Sequence, residues 1–219
     1  WDLTNGTCTS SAFTSENSCL GGGGVWTPGN DLLITEFMAD PYENGNCTDS
    51  SGEFIEITYD ENATQSVDIR GLLFSDTRSQ PRTNIIDSTL VLQPGESAWI
   101  GQEASADCYG SADFHLKESS DRWDNTEYGY TIDLNQDGDT LRLHYTDIDG
   151  SQIEFSAITY TAADVTRGAS RQLSRDKFNR NDAVDMNNWC DSTNTIVGLD
   201  ATRPNPDLGT PGEENTICQ

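Results

Sequence analysis

Two runs near the start of the chain alternate apolar and polar positions. In DLLITEFMADP, which begins at Asp31, Leu33, Thr35 and Phe37 alternate with Leu32, Ile34, Glu36 and Met38. In GEFIEITY, which ends at Tyr59, Phe54, Glu56 and Thr58 alternate with Ile55, Ile57 and Tyr59. Neighbouring residues of a strand point to opposite faces, so each run predicts a strand with one buried and one wetted face. Asp40-Pro41 stops the first strand, because proline donates nothing to a ladder. The loop between the runs holds Asn44, Gly45, Asn46, Asp49 and Gly52, all turn formers.

The same signals recur downstream. Val67 and Ile69 alternate, Gly71 breaks the run, and Leu72 to Phe74 resume it. Asn84 to Asp87 is a short strand candidate. TLVLQPGESAWIG gives two strands around Pro94-Gly95, a turn with proline second and glycine third. Residues 102–129 are a long excursion without a period, with one strand near Phe114. The pattern returns in YTIDL, TLRLHYT and QIEFSAITY, joined by the hairpin-like turns NQDG and DIDG, the latter ending in Asp149-Gly150. A last strand is expected at Ser170 to Ser174, and residues 161–168 suit one helical turn. Short strands at this spacing predict an all-β fold, and burying their apolar faces calls for two packed sheets. A barrel shares this periodicity.

The composition narrows the function. The chain has 219 residues, 34% of them apolar, and carries 37 acidic against 12 basic residues for a formal net charge of −25. That field repels phosphate backbones and argues against nucleic-acid binding. Lys117 and Lys177 are the only lysines. Such an acid excess fits a surface hydrated in salty water, or simply one that resists aggregation. No apolar run is long enough to span a membrane as a helix. Asn5, Asn46 and Asn62 each open a glycosylation pattern.

The six cysteines lack a C-x2-C pair, which favours disulfides over zinc and an oxidising, extracellular compartment. Pairing nearest partners at the two ends gives Cys8–Cys19 and Cys190–Cys218, and elimination leaves Cys47–Cys108. Residues 1–30 read as an N-terminal arm with a disulfide loop and a flexible hinge at Gly21 to Gly24. Trp1, Leu3, Phe13, Val25 and Trp26 are too few to build a core there and should be buried against something, either the chain's own domain or a neighbouring copy. Residues 31–173 form the β-domain, and residues 174–219 a loop-rich C-terminal extension packed on it.

In order, LLITEFMADP, GEFIEI, VDIRGLLFSD, LVLQPGESAWIG and DGDTLRLHYTDIDGSQIEFSAITY resemble the lamin tail domain family. The likeness covers about residues 31–173. NDAVDMNNWC and DLGTPGEENTIC look like the closing segment of the family's secreted bacterial members. The resemblance implies an immunoglobulin-like β-sandwich and a structural, adhesive or accessory role outside the cell. The long excursion and residues 1–30 depart from the family pattern.

Several constellations could carry chemistry. His115 and His144 are the only histidines, and there is no G-x-S-x-G elbow. Glu36 and Glu56 fall on adjacent strands and could approach each other as a carboxylate pair, or could simply line a solvated sheet face. Asp133, Asn135, Asp137 and Asp139 flank Gly138 like half of a calcium loop, but the position expected to hold its glutamate is His144. The alternative is an Asx-rich hairpin turn. Asn181, Asp182 and Asp185 suit a cation or a loop cap. Trp99 belongs to a strand, and Trp189 packs the tail. Trp123 and Tyr128 on the excursion suit carbohydrate stacking, a protein partner, or pinning of their own loop. The expectation is a non-enzymatic, secreted structural or interaction module that could assemble with itself. A calcium-dependent carbohydrate- or ligand-binding module is the first alternative, and an accessory domain of a secreted hydrolase the second.

Overall fold

The computed structural model describes residues 7–8, 26–27, 32–43, 52–76, 83–101, 108, 112–115, 134–146, 152–196 and 205–219. Within the arm, strand β1 (Thr7–Cys8) pairs antiparallel with β2 (Trp26–Thr27). The hinge glycines and Cys19 lie outside the described residues.

The two opening runs become β3 (Leu32–Met38) and β4 (Phe54–Tyr59). Next come β5 (Val67–Asp68), β6 (Leu73–Ser75), β7 (Thr83–Ile85), β8 (Val91–Leu92), β9 (Ser97–Gly101) and β10 (Phe114–His115). The Pro94-Gly95 turn forms as expected: Glu96 N–H donates to the Gln93 carbonyl at 2.9 Å, with Gly95 at φ 79°. The long hairpin is β11 (Gly138–Thr146) and β12 (Gln152–Thr161), and a 3-10 turn over Ala162–Asp164 follows it. β13 (Arg171–Leu173), the four-residue helix α1 (Arg180–Ala183) and β14 (Trp189–Asp191) complete the order.

One sheet runs β10-β9-β4-β3-β13-β14 and the other β12-β11-β6-β7, while β5 and β8 pair separately. All these pairings are antiparallel except β9 with β10. Both larger sheets feed one continuous core, with Phe37, Ile55 and Ile57 from the first and Leu141, Leu143, Phe155 and Tyr160 from the second. The rings of Phe37 and Tyr160 lie 4.5 Å apart across it. The chain is thus all-β with two sheets sharing a core.

The wetted face expected for β3 and β4 does not exist, since every residue of both strands is buried. Residues 205–218, the C-terminal strap, cover it. Strict alternation also fails in β3, because a bulge between Ile34 and Glu36 lets Thr35 and Glu36 reach the same side.

Gly138 starts β11 at φ 111°, and a Cβ there would sit 2.7 Å from the Tyr160 carbonyl oxygen and 2.8 Å from the Thr161 Cα. Both obstacles are backbone, so Gly138→Ala is expected to cost about 2 kcal/mol. A urea midpoint equal to that of the wild type would contradict this.

Candidate functional site

The centre of the six-stranded sheet carries a polar row on its strap side. Gln172 on β13 stands opposite Glu36 on β3, Glu36 opposite Glu56 on β4, and Glu56 opposite Trp99 on β9. Glu36 and Glu56 are only 0% and 1% exposed. The solvated reading of this pair is therefore overturned: the strap has replaced water as its hydrogen-bond donor.

Each member of the row meets a particular strap residue. Glu36 Oε1 accepts from the Ser170 hydroxyl and from the Thr210 N–H at 2.8 Å, and Glu36 Oε2 lies 2.7 Å from the Thr210 hydroxyl. Glu56 Oε2 accepts from the Gly212 N–H at 2.8 Å. Gln172 Oε1 accepts from the Thr216 N–H at 3.0 Å, and its amide donates to the Thr216 hydroxyl at 2.9 Å. The Asn215 amide donates to the carbonyls of Thr35 and Leu173 at 2.8 and 3.2 Å.

The strap's shape follows from its sequence. Thr210-Pro-Gly-Glu213 is a turn in which Glu213 N–H donates to the Thr210 carbonyl at 2.8 Å, with Gly212 at φ 76°. Proline presets the second position, and glycine accepts the positive φ at the third. The turn lays Gly212 against Trp99, whose Cδ1 would be 3.2 Å from an added Cβ. Trp99 in turn packs edge-on against Phe54, at 6.0 Å between ring centroids.

A hydroxyl chain leads outward from Glu56. Thr35 Oγ1 donates to Glu56 Oε1 at 3.0 Å, Thr35 and Thr58 are 2.8 Å apart, and Thr58 and Ser97 are 2.7 Å apart. Thr58 and Ser97 line a cleft of about 400 Å³ whose other walls include Arg175, Phe178 and strap residues Gly212–Asn215. Asp60, Glu61, Glu213 and Glu214 give its rim a negative character, and Arg175 is ion-paired with Glu214.

Burial raises the pKa of both glutamates, because a carboxylate loses water there. The Ser170 and Thr210 donors oppose this at Glu36. At Glu56 the neighbouring Glu36 charge raises it further, while the Gly212 and Thr35 donors oppose. Two carboxyls in register at this depth titrate as a unit.

The strap's far end is held covalently by Cys190–Cys218, as the cysteine spacing predicts. Cys108 is also in a disulfide; the pairings proposed for Cys8–Cys19 and Cys47–Cys108 involve residues outside the described set. Replacing Cys190 and Cys218 by alanine is expected to cost about 2 to 3 kcal/mol, since the bond closes a loop with a sequence separation of 28. Thermal unfolding with and without reductant checks this, and an unchanged midpoint would contradict it.

The remaining candidates take smaller parts. Asp133 lies outside the described residues. Asn135 Oδ1 accepts from the Asp137 N–H at 3.1 Å, the bond of an Asx turn, and Asp139 Oδ1 accepts from the adjacent Thr140 N–H at 2.7 Å. Among the described residues no group of three or more His, Cys, Asp or Glu side chains could hold a metal ion. Asp182 lies in the first turn of α1, where its N–H donates to the capping Asn179 side chain, and Asp185 caps the 3-10 turn after it. Trp189 is buried, packs at a tilt against Phe37 with ring centroids 5.8 Å apart, and donates to the Ala183 carbonyl at 2.9 Å. His144 is buried on β11 with no hydrogen-bond partner for either ring nitrogen among the described residues, and burial lowers its pKa. Trp1, Trp123 and Tyr128 lie outside the described residues, and only the backbone pairing of Trp26 is described.

The glutamates were visible in the sequence as acids inside otherwise apolar strands. The C-terminal extension was expected to pack on the domain, but not that it would cover these two acids, although Thr210-Pro211-Gly212 repeats the turn chemistry of Pro94-Gly95. No helix among the described residues is long and apolar enough to cross a membrane. The chain matches no protein-family model, no curated protein and no solved structure.

Proposed function

We propose that this chain is an extracellular structural or interaction module, an immunoglobulin-like sandwich of the lamin tail type, and not an enzyme. The observation that carries this reading is the use made of its most reactive-looking groups. Glu36 and Glu56 are sealed from solvent, with the strap and neighbouring hydroxyls on their oxygens. A glycosidase pair must instead open onto a sugar. The quoted lamin-tail-like segments coincide with β3, β4, β5, β6, β8, β9, β11 and β12, which supports the fold assignment. The disulfide supports an oxidising compartment.

Size-exclusion chromatography and electron microscopy of the full chain, across salt and calcium concentrations, test the role. Assembly that is lost when residues 1–24 are deleted supports a self-assembling subunit. A monomer under all conditions removes self-assembly from the reading. Hydrolysis of a glycan or peptide that disappears in Glu56→Gln would overturn the non-enzymatic assignment.

A second reading rests on the cleft. Its volume of about 400 Å³ falls in the range of small-ligand sites, and it combines Phe178 with hydroxyls and carboxylates. Saturable binding on a glycan array, weakened by Phe178→Ala, would favour a carbohydrate-binding module.

A further inference from the structure

We propose that Glu36 and Glu56 hold one proton between them at neutral pH, and that this proton latches residues 207–216 onto the sheet. Its loss at alkaline pH frees the strap and opens the cleft that the strap walls.

The geometry argues for the proton in two ways. First, Glu36 and Glu56 are register partners on adjacent strands, and both side chains are buried. The donors they receive, from Ser170, Thr210, Thr35 and Gly212, are hydroxyls and backbone N–H groups rather than cations. Two like charges so placed oppose one another, with no compensating cation bonded to them among the described residues. Second, the hydrogens can be counted. The Thr210 hydroxyl lies 2.7 Å from Glu36 Oε2 and 3.0 Å from Asn215 Oδ1, and it has one hydrogen to give. Asn215 is oriented by its two bonds to carbonyls, so its Oδ1 must accept. If Thr210 donates to Asn215, then Glu36 Oε2 donates to Thr210 and carries the proton. Glu56 can remain a carboxylate, fed at Oε2 by Gly212 and at Oε1 by the sequence Ser97, Thr58, Thr35.

Donor number alone would put the proton on Glu56, which has two donors against three for Glu36. Burial and the Glu36 charge likewise raise the Glu56 pKa well above its ordinary value; giving the single Thr210 hydrogen to Asn215, whose oxygen can only accept, places the proton on Glu36 instead. The hydroxyl chain runs from Glu56 to residues lining the cleft, so Glu56 can exchange a proton with solvent without the strap opening.

The sign follows from linkage. With the strap open, both carboxyls meet water and titrate near the ordinary value of about 4.3. With it closed, the pair keeps a proton to higher pH. Between those two values the closed form binds more protons, so closure weakens as pH rises, by up to about tenfold in its equilibrium constant per pH unit. Above the raised value the weakening stops. Other charges near the pair and strap are Asp113, which raises the Glu56 pKa, the buried Asp207, whose carboxylate accepts from the Tyr42 N–H, and the cleft-wall groups Arg175, Glu213 and Glu214. The surface acids also repel more as pH rises, but 1 M salt screens them to about 3 Å while leaving a buried pair largely unscreened.

The test is amide hydrogen exchange in the full oxidised chain between pH 5 and 9, in 1 M salt, corrected for intrinsic exchange. Protection of Thr210 and Gly212 is expected to fall by up to about tenfold per pH unit in the wild type, while Ile57 in β4 stays constant. In Glu36→Gln, whose amide can make the same donation to Thr210, protection should be independent of pH. Flat wild-type protection, or an equal fall in Glu36→Gln, overturns the latch. Should Glu36→Gln fail to fold, carboxyl carbon-13 titration of the wild type decides instead. One protonated glutamate of the two at pH 7 supports the latch, and two ionised ones overturn it.

Discussion

Glu36→Leu is expected to lower stability by about 3 to 4 kcal/mol at pH 6, and to do so mainly by loosening the strap. The leucine fits the volume but leaves the Thr210 N–H without an acceptor under the strap, at about 1 to 3 kcal/mol for such an orphan. The Thr210 hydroxyl still has Asn215, but the Ser170 hydroxyl must turn elsewhere. Gly209 adds to the loss: its Cβ position lies only 3.1 Å from Glu36 Oε1, so the strap backbone follows the carboxylate closely. For a chain of this length each kcal/mol moves the melting midpoint by about 2 to 4 °C, so a fall near 10 °C is expected. Glu36→Gln should lose far less, because it keeps an acceptor for Thr210 N–H and supplies a donor to the hydroxyl. Calorimetry on the two variants separates charge from shape: if leucine and glutamine cost the same, the hydrogen-bond argument fails.

Phe37→Ala should cost more, about 4 kcal/mol, because the residue joins three elements at once. Its ring is 1% exposed and lies between Tyr160 of β12 and Trp189 of β14. Deleting a buried aromatic ring removes transfer energy and leaves a cavity, together about 3 to 5 kcal/mol. Tyr160 belongs to the opposite sheet, so the loss falls on the contact between the sheets. Val184, which is 57% exposed, offers the control: Val184→Ala should change stability by less than about 0.5 kcal/mol. Urea unfolding would refute the shared core if Phe37→Ala cost no more than Val184→Ala.

Much of the fold was legible in order along the chain. The alternation in LLITEFM and FIEITY placed β3 and β4, and Pro94-Gly95 placed the turn before β9. The run TLRLHYT placed most of β11, and the cysteine spacing at the end of the chain predicted Cys190–Cys218. These are local signals. Period two, a preset φ at proline and a positive φ at glycine act within a few residues, so they survive in the sequence without its partners.

What the tertiary structure decided is which groups meet. Alternation assigned Thr35 and Glu36 to opposite faces, and the bulge brought both to the strap. Composition made any acid on a strand look solvated in a chain of charge −25, yet residues more than 150 positions away seal Glu36 and Glu56. Burial of a strand's second face depends on a segment with no period of its own, held by backbone N–H groups that every residue but proline possesses. The backbone contacts leave no residue-type signature, and the Thr210 and Asn215 side-chain contacts do not name their distant partners, so the sequence by itself determined the strands and turns, and the closing of the strap determined what the two acids do.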